Sequence, residues 1–370
     1  MTATKGLEGV VAASSSISSI VDGVLTYRGY NIDDLAVNAS FEEVAYLLWF
    51  GKLPNQNELD QLQKDLDKYA VLPDALIEQI KLYPKNMNRM AALRSAVSAL
   101  ALYDEDADDM SLEANQQKAI KLQAQLPAIV AVLGRISEGQ EPVAPLQGVS
   151  IAHNFLYMLT GKEPDQVAIK ALDQALVLHA DHELNASTFA ARVTVATLSD
   201  IYSGVTSAIG ALKGPLHGGA NEAVMKMLEE IGSPDNLESY IQSKLDNKEK
   251  IMGFGHRVYK NGDPRAKHLQ QMSRELGELN NDLTLYDMSV RIEEIITERK
   301  GLKPNVDFYS ASMYTMLGIP RNLFTPIFAI SRVSGWSAHI LEQYENNRII
   351  RPRAEYVGPT EQQYSPVEAR

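Results

Sequence analysis

The chain has 370 residues, 45% of them hydrophobic and 22% charged, which is enough apolar material for a large core and for two domains. A formal net charge of −12 argues against a nucleic acid or an anionic membrane as partner, and the absence of cysteine excludes disulfides, thiolate catalysis and Cys-ligated metals. No basic segment followed by an apolar run opens the chain, and no uninterrupted apolar run reaches the ~18 residues of a membrane span, so the expected location is cytoplasmic.

Residues 10–21 are rich in Ser, Ile and Val, and Asp22-Gly23 separates them from Val24-Leu25-Thr26-Tyr27. This pattern predicts a small N-terminal hairpin with a type I′ turn and little other sheet. Ser40 and Glu43 predict a capping box before an apolar run to Trp49, with Gly51 and Pro54 ending that helix. Asn55 and Glu58 repeat the signal before a helix with Leu59, Leu62 and Leu66 on one face. Helical patterns cover residues 87–103, 111–138 and 166–182, and Pro127 is expected to kink or split the second. The acidic run 104–109 reads as a solvated loop, and the Ala-, Thr- and Val-rich stretch 186–212 as a buried helix or helix pair.

Gly218-Gly219 precedes a helix near 220–231, Ser233-Pro234 opens another, and helices follow near 264–278 and 284–299. Residues 307–317 and 324–344 are largely apolar, with Pro320 and Pro326 as breaks. There is no βαβ alternation and no repeat of roughly 20–50 residues, so the class is mainly α.

Four stretches make residue choices that a helical scaffold does not require. Residues 253–266 join His256 to Arg257, Lys260 and Arg265 behind two glycines. From Lys248 to His268 there are six Lys or Arg against two acids, a basic island of about +4 in an acidic chain. An imidazole beside fixed cations suits a small anion; a solvated loop is the plainer alternative. Asp263-Pro264 reads as N-cap and first residue of the next helix. The second stretch, Gly214-Pro215-Leu216-His217-Gly218-Gly219, sets a histidine at a helix start, where amide N–H groups disfavour imidazolium. A neutral His217 could donate to a developing oxyanion, or it is simply a turn histidine.

In the third stretch His179 and His182 stand at i and i+3, a spacing open to a metal, but no third ligand is near. Hydrogen bonding by His182 to a ligand oxygen or a helix end is the stronger reading. In the fourth, Asp307 lies between Val306 and Phe308 before an apolar helix, either as a general base with a raised pKa or as an ordinary helix cap. Arg332 sits in an apolar stretch and needs an anionic partner. Arg348, Arg351 and Arg353 follow near the C-terminus. Guanidinium groups bind carboxylates bidentately, so several arginines point to a small polycarboxylate.

Together these stretches resemble the citrate synthase family. The resemblance runs from Gly6-Leu7-Glu8-Gly9 and Tyr27-Arg28-Gly29-Tyr30 through His179-Ala180-Asp181-His182-Glu183, Pro215-Leu216-His217-Gly218, Gly253-Phe254-Gly255-His256 and Asp263-Pro264-Arg265 to Pro304-Asn305-Val306-Asp307 and Arg351-Pro352. Each part is weak, but the ordered set is highly specific, and its length resembles the compact bacterial and archaeal form. It implies a two-domain helical fold with residues 1–218 and 320–370 in a large domain and 219–319 in a small one. The boundaries fall near Gly218-Gly219 and Gly318-Ile319-Pro320.

The resemblance also implies roles. His217 would stabilise an enol of acetyl-CoA, Asp307 would take the methyl proton, and His256 would polarise the oxaloacetate carbonyl. His182, Arg265 and Arg332 would hold oxaloacetate, together with Arg351 of the partner subunit in a homodimer with shared sites. Arg257, Lys260 and Lys303 fit coenzyme A phosphates. No metal and no cofactor is implied, since the coenzyme A thioester is a substrate. The close alternative is 2-methylcitrate synthase acting on propionyl-CoA, because one methyl in an apolar pocket discriminates by only ~1–3 kcal/mol. A catalytically silent helical scaffold is argued against by His217, His256 and Asp307, and a metallohydrolase built on His179 and His182 is the weakest reading.

Overall fold

The computed structural model describes residues 5–7, 9–256, 258–259 and 261–370. Near the N-terminus β1 (Ser18–Val21) and β2 (Val24–Tyr27) pair antiparallel, with Ser18 opposite Tyr27. Asp22 and Gly23 both take positive φ, 52° and 81°, as the type I′ turn requires. A third strand, β3 (Tyr30–Asn31), extends the sheet beyond the expected hairpin by pairing with the other edge of β2. Only the last four residues of the β-rich stretch 10–21 join the ladder.

Among the described residues the other regular elements are helical. α1 (Ile32–Asn38), α2 (Phe41–Phe50), α3 (Gln56–Tyr69) and α4 (Asp74–Lys81) follow the sheet. Both expected capping boxes form, Ser40 with Glu43 and Asn55 with Glu58, and Gly51 ends α2 in the left-handed region. α5 (Arg89–Leu100) leads to α6 (Leu112–Ser137). Of the two outcomes expected at Pro127, a kink or a split, the split does not occur, and α6 runs unbroken through it. The proline costs a backbone hydrogen bond, but residues 126–134 are all buried, and α3, α7 (Ile151–Thr160) and α16 (Phe324–Glu345) pack on the helix.

The acidic run before α6 is a loop with Glu105, Asp106, Asp108 and Asp109 exposed, as expected, but it also has an inward part. Asp104 pairs with Lys121 at 2.6 Å and accepts the Tyr202 hydroxyl at 2.5 Å. The fully buried Lys118 donates to the carbonyls of Ala107 and Asp109 at 3.0 and 2.6 Å. The run therefore supplies acceptors that a buried ammonium needs.

α8 (Gln166–His179) ends three residues short of the expected limit. The backbone turns there because the N-terminal sheet holds it: Tyr27 Oη accepts the Asp181 N–H at 3.2 Å and Ser18 Oγ accepts that of Glu183 at 2.9 Å. The expected helix pair appears as α9 (Ala186–Val195) and α10 (Ile201–Leu212). α11 (Ala220–Ile231), α12 (Pro234–Asp246), α13 (Ala266–Leu279), α14 (Thr284–Lys300) and α15 (Val306–Met316) pack largely on one another, with α13 reaching α8 and α11 reaching α16. α16 is the core axis and packs on α2, α5, α6, α8, α9 and α10. Pro326 lies in its first turn, where no intrahelical N–H is needed, and so does not break it. Gly335 lets α16 meet the turn after α8, since a Cβ there would lie 2.4 Å from the Ala180 carbonyl oxygen.

Candidate active site

The turn after α8, the turn before α11, the loop ahead of α13, the start of α15 and the middle of α16 supply His182, His217, His256, Arg265, Asp307 and Arg332. The 253–255 and 303–305 segments are laced together. Gly255 N–H donates to the Lys303 carbonyl, Asn305 N–H to the Gly253 carbonyl and Asn305 Nδ2 to the Gly255 carbonyl, each at 2.9 Å. Gly253 is required at this crossing: its φ is 82°, and a Cβ would meet the Phe308 ring at 2.8 Å. This lacing brings the His256 loop against the start of α15.

His256 Nδ1 accepts the backbone N–H groups of Val258 and Tyr259 at 3.0 and 3.3 Å. These bonds assign the ring proton to Nε2, making that atom a donor. His217 shows the opposite assignment. Its Nε2 lies 3.3 Å from the Ser187 N–H, which can only donate, and 2.8 Å from Ser187 Oγ, so its proton is on Nδ1. Trp336 Nε1 donates to Ser187 Oγ at 3.0 Å and fixes that hydroxyl. Burial, with the Arg332 charge adding to it, pulls the His217 pKa down to about 4. The sequence reading placed His217 at the helix start. It lies instead in the turn ahead of α11, and burial rather than the helix terminus keeps it neutral.

Asp307 is not the helix cap. Asn305 takes that position, accepting the Asp307 N–H on Oδ1 at 3.0 Å. Burial, reinforced by the Asp263 charge and opposed by Arg265 and Arg332, pushes the Asp307 pKa up to about 7. Asp263 is not a helix cap either, since α13 begins at Ala266. Its carboxylate still accepts the Arg265 backbone N–H at 3.1 Å, as a cap would, and also accepts from Arg265 Nε at 2.9 Å and Nη2 at 2.8 Å and from the Val306 N–H at 3.0 Å. One buried carboxylate thus ties Arg265 to the first residue of α15.

Arg332 is 2% exposed, donates from Nε to the His179 carbonyl at 2.7 Å and lies 4.7 Å from the Phe328 ring centre. No carboxylate pairs with it among the described residues, and burial pulls its pKa down to about 10. His182 Nε2 lies 3.0 Å from the Tyr259 hydroxyl, and its ring is 5.3 Å from that of His256. Burial, then Arg265, Arg332 and His256, holds His182 well below the usual histidine range. His179 and His182 do not share a helical face, because α8 ends at His179. His179 Nδ1 lies 2.7 Å from the Ala175 carbonyl and the ring is wholly buried, so the i, i+3 helical spacing on which the metal reading rested is not present. Among the described residues no three potential ligands form a metal cluster.

Lys303 is exposed beside a cleft of about 180 Å³ lined by His256, Tyr259, Asp263 and Pro304. Arg257 and Lys260 lie outside the described residues. Arg351 is exposed in the irregular C-terminal segment and is not brought to the cluster by its own chain through any hydrogen bond or ion pair among the described residues. A larger groove of about 360 Å³ between α2, α3 and α6 carries no His, Lys or Arg. Sequence reasoning missed Ser187, Trp336, Tyr259 and the clamping role of Asp263. Only the i, i+2 spacing of Asp263 and Arg265 offered a signal.

A family model described as citrate synthase, C-terminal domain, matches residues 6–353. A Bacillus subtilis (strain 168) protein named citrate synthase 2 is 63% identical over 371 residues, covering all of both chains. A citrate/2-methylcitrate synthase from the same organism is 44% identical over 96% of each chain. Among solved structures, citrate synthase from Thermoplasma acidophilum, in a ternary complex with carboxymethyl coenzyme A and oxaloacetate, matches with a TM-score of 0.93 at 36% identity over 99% of both chains. Citrate synthase from Pyrobaculum aerophilum matches with a TM-score of 0.91 at 44% identity over 98% of this chain and 94% of that one. This chain belongs to the citrate synthase family.

Proposed function

We propose that this chain condenses acetyl-CoA with oxaloacetate and hydrolyses the resulting citryl-CoA to citrate and coenzyme A. The observation that carries the reading is the setting of Asp307: a carboxylate pushed up to about 7 by burial, within the fields of two buried guanidinium groups. A thioester methyl group is a weak carbon acid, so its deprotonation needs both a base and a donor to the developing enolate oxygen. Asp307 takes the proton and His217 Nδ1–H donates to the thioester oxygen. His256 Nε2–H polarises the oxaloacetate keto group, and the enol carbon attacks it. His182, Arg265 and Arg332 hold the oxaloacetate carboxylates, joined by Arg351 of the partner subunit. Water then adds to the citryl thioester carbonyl and coenzyme A leaves as the thiol.

The reaction must exclude water until the carbon–carbon bond has formed. The mutual packing of α11–α15 supports their movement as a small domain, residues 219–319, over residues 1–218 and 320–370. Lys303, with Arg257 and Lys260, binds coenzyme A phosphates, and the active unit is a cytoplasmic homodimer. The mechanism calls on no cofactor beyond the thioester substrate. The 44% identical citrate/2-methylcitrate synthase favours a second reading in which propionyl-CoA is also accepted.

The test is thiol release from each acyl-CoA with oxaloacetate. Rapid release with acetyl-CoA is expected, a larger kcat/KM with propionyl-CoA would make the chain a 2-methylcitrate synthase, and release with neither would overturn the assignment.

A further inference from the structure

The reaction above gives no part to Tyr259. This residue is 3% exposed and its hydroxyl lies 3.0 Å from His182 Nε2. Its ring centre is 4.6 Å from that of His256 and 5.5 Å from that of His182, and the Arg265 guanidinium carbon is 5.8 Å away. Its backbone N–H is one of the two that close on His256 Nδ1. One residue therefore touches three groups assigned to oxaloacetate, and these groups come from different parts of the chain. His182 follows α8, whereas His256 and Arg265 precede α13.

A hydrogen bond to one ring nitrogen of a histidine sets the plane of the ring and decides which proton the other nitrogen carries. A phenol suits that task because its ordinary pKa, about 10, keeps it un-ionised around neutrality. The link between His182 and the His256 loop then does not change with moderate pH. Packing alone would need only the ring, and phenylalanine would supply it equally well.

We propose that Tyr259 is a positioning residue for the keto-acid substrate: its hydroxyl fixes the His182 imidazole and registers it against His256 and Arg265. The proposal rests on the oxaloacetate reading of the site. Loss of the hydroxyl leaves the ring free to turn away from the geometry that holds the substrate. The expected loss is about tenfold in affinity, which is about 1.4 kcal/mol.

The test is a double-mutant cycle read by calorimetric titration of oxaloacetate into the full chain. Tyr259→Phe should weaken oxaloacetate about tenfold and leave the acetyl-CoA KM within about twofold. In a His182→Ala background the same change should cost less than about twofold, because the residue acts through that ring. Undiminished affinity in Tyr259→Phe, or an equal loss in both backgrounds, overturns the proposal. If His182→Ala binds too weakly to titrate, ¹⁵N spectra of histidine-labelled, ligand-free protein decide. The His182 ring resonances should move in Tyr259→Phe, and unmoved resonances overturn the proposal. Wild-type protein that does not bind oxaloacetate refutes the reading of the site instead, and the spectra still report whether Tyr259 orients His182.

Discussion

Asp263 holds Arg265 through both carboxylate oxygens, at 2.9 and 2.8 Å, in a pair almost wholly removed from water. Arg332 is equally buried, but its protein acceptor among the described residues is the neutral His179 carbonyl. The two arginines therefore stand differently toward a dicarboxylate. Arg265 arrives neutralised and rigid, whereas Arg332 carries an unmet demand for an anion.

Replacing Arg332 with Met should expose that difference. Removing this buried cation relieves a desolvation cost of several kcal/mol, which offsets about 1–3 kcal/mol for the orphaned His179 carbonyl and the lost attraction to Asp181 and Asp307. The ligand-free melting temperature should hold or rise, while the rise caused by saturating oxaloacetate disappears. A variant still stabilised by oxaloacetate to the wild-type extent would place the anion elsewhere.

Asp307→Asn keeps the shape of the side chain and removes the proposed base. kcat should fall by at least ~10²–10⁴, while oxaloacetate binding persists. Near-normal turnover in the folded variant would assign proton abstraction to another group.

Glu42 and Asp173 give the fold a pH dependence unrelated to the site. Glu42 caps the start of α7 by accepting the Ile151 N–H at 2.7 Å, and Asp173 accepts the Phe41 N–H at 3.2 Å. Neither carboxyl has a cationic partner among the described residues. Burial first, and then the Glu42 charge, pushes the Asp173 pKa up to about 8. The folded chain thus keeps a proton that the unfolded chain has released above about pH 4. Stability contributed by this group is complete below that pH and is lost as pH rises toward 8. Asp173→Asn should raise the melting temperature by a few degrees at pH 8 and hardly at all near pH 4. An equal effect at both values would mean that the carboxyl does not hold its proton.

Arg351 tests the proposed sharing of the site between two subunits. Arg351→Ala and His256→Ala should each be inactive as homodimers. When co-expressed, half the dimers are mixed, and each mixed dimer has one site with both lesions and one with neither. Recovery to roughly a quarter of wild-type activity is expected for a twofold-symmetric dimer. Purified mixed dimers without recovery would place Arg351 in its own chain's site, or outside any site.

The local part of this fold was legible in the chain. Ser40 with Glu43, Asn55 with Glu58, and Asp22-Gly23 each settle their hydrogen bonds within a few residues, so their signals survive without tertiary context. The motifs around His217, His256 and Asp307 likewise carried the family. The short helices α1, α4 and α7 carry no reciprocal capping box, only the single caps Asn31 and Ser150 in α1 and α7, and Pro127 does not split α6 because distant packing outweighs local preference. Tertiary structure alone decided the chemical state of the site. The neutrality of His217, the raised pKa of Asp307 and the unpaired charge of Arg332 all follow from burial and from charges brought together by the fold. His182 meets Tyr259 across 77 residues and Arg332 meets the His179 carbonyl across 153. Desolvation and Coulomb interaction depend on distance in space, and a sequence records only order along the chain.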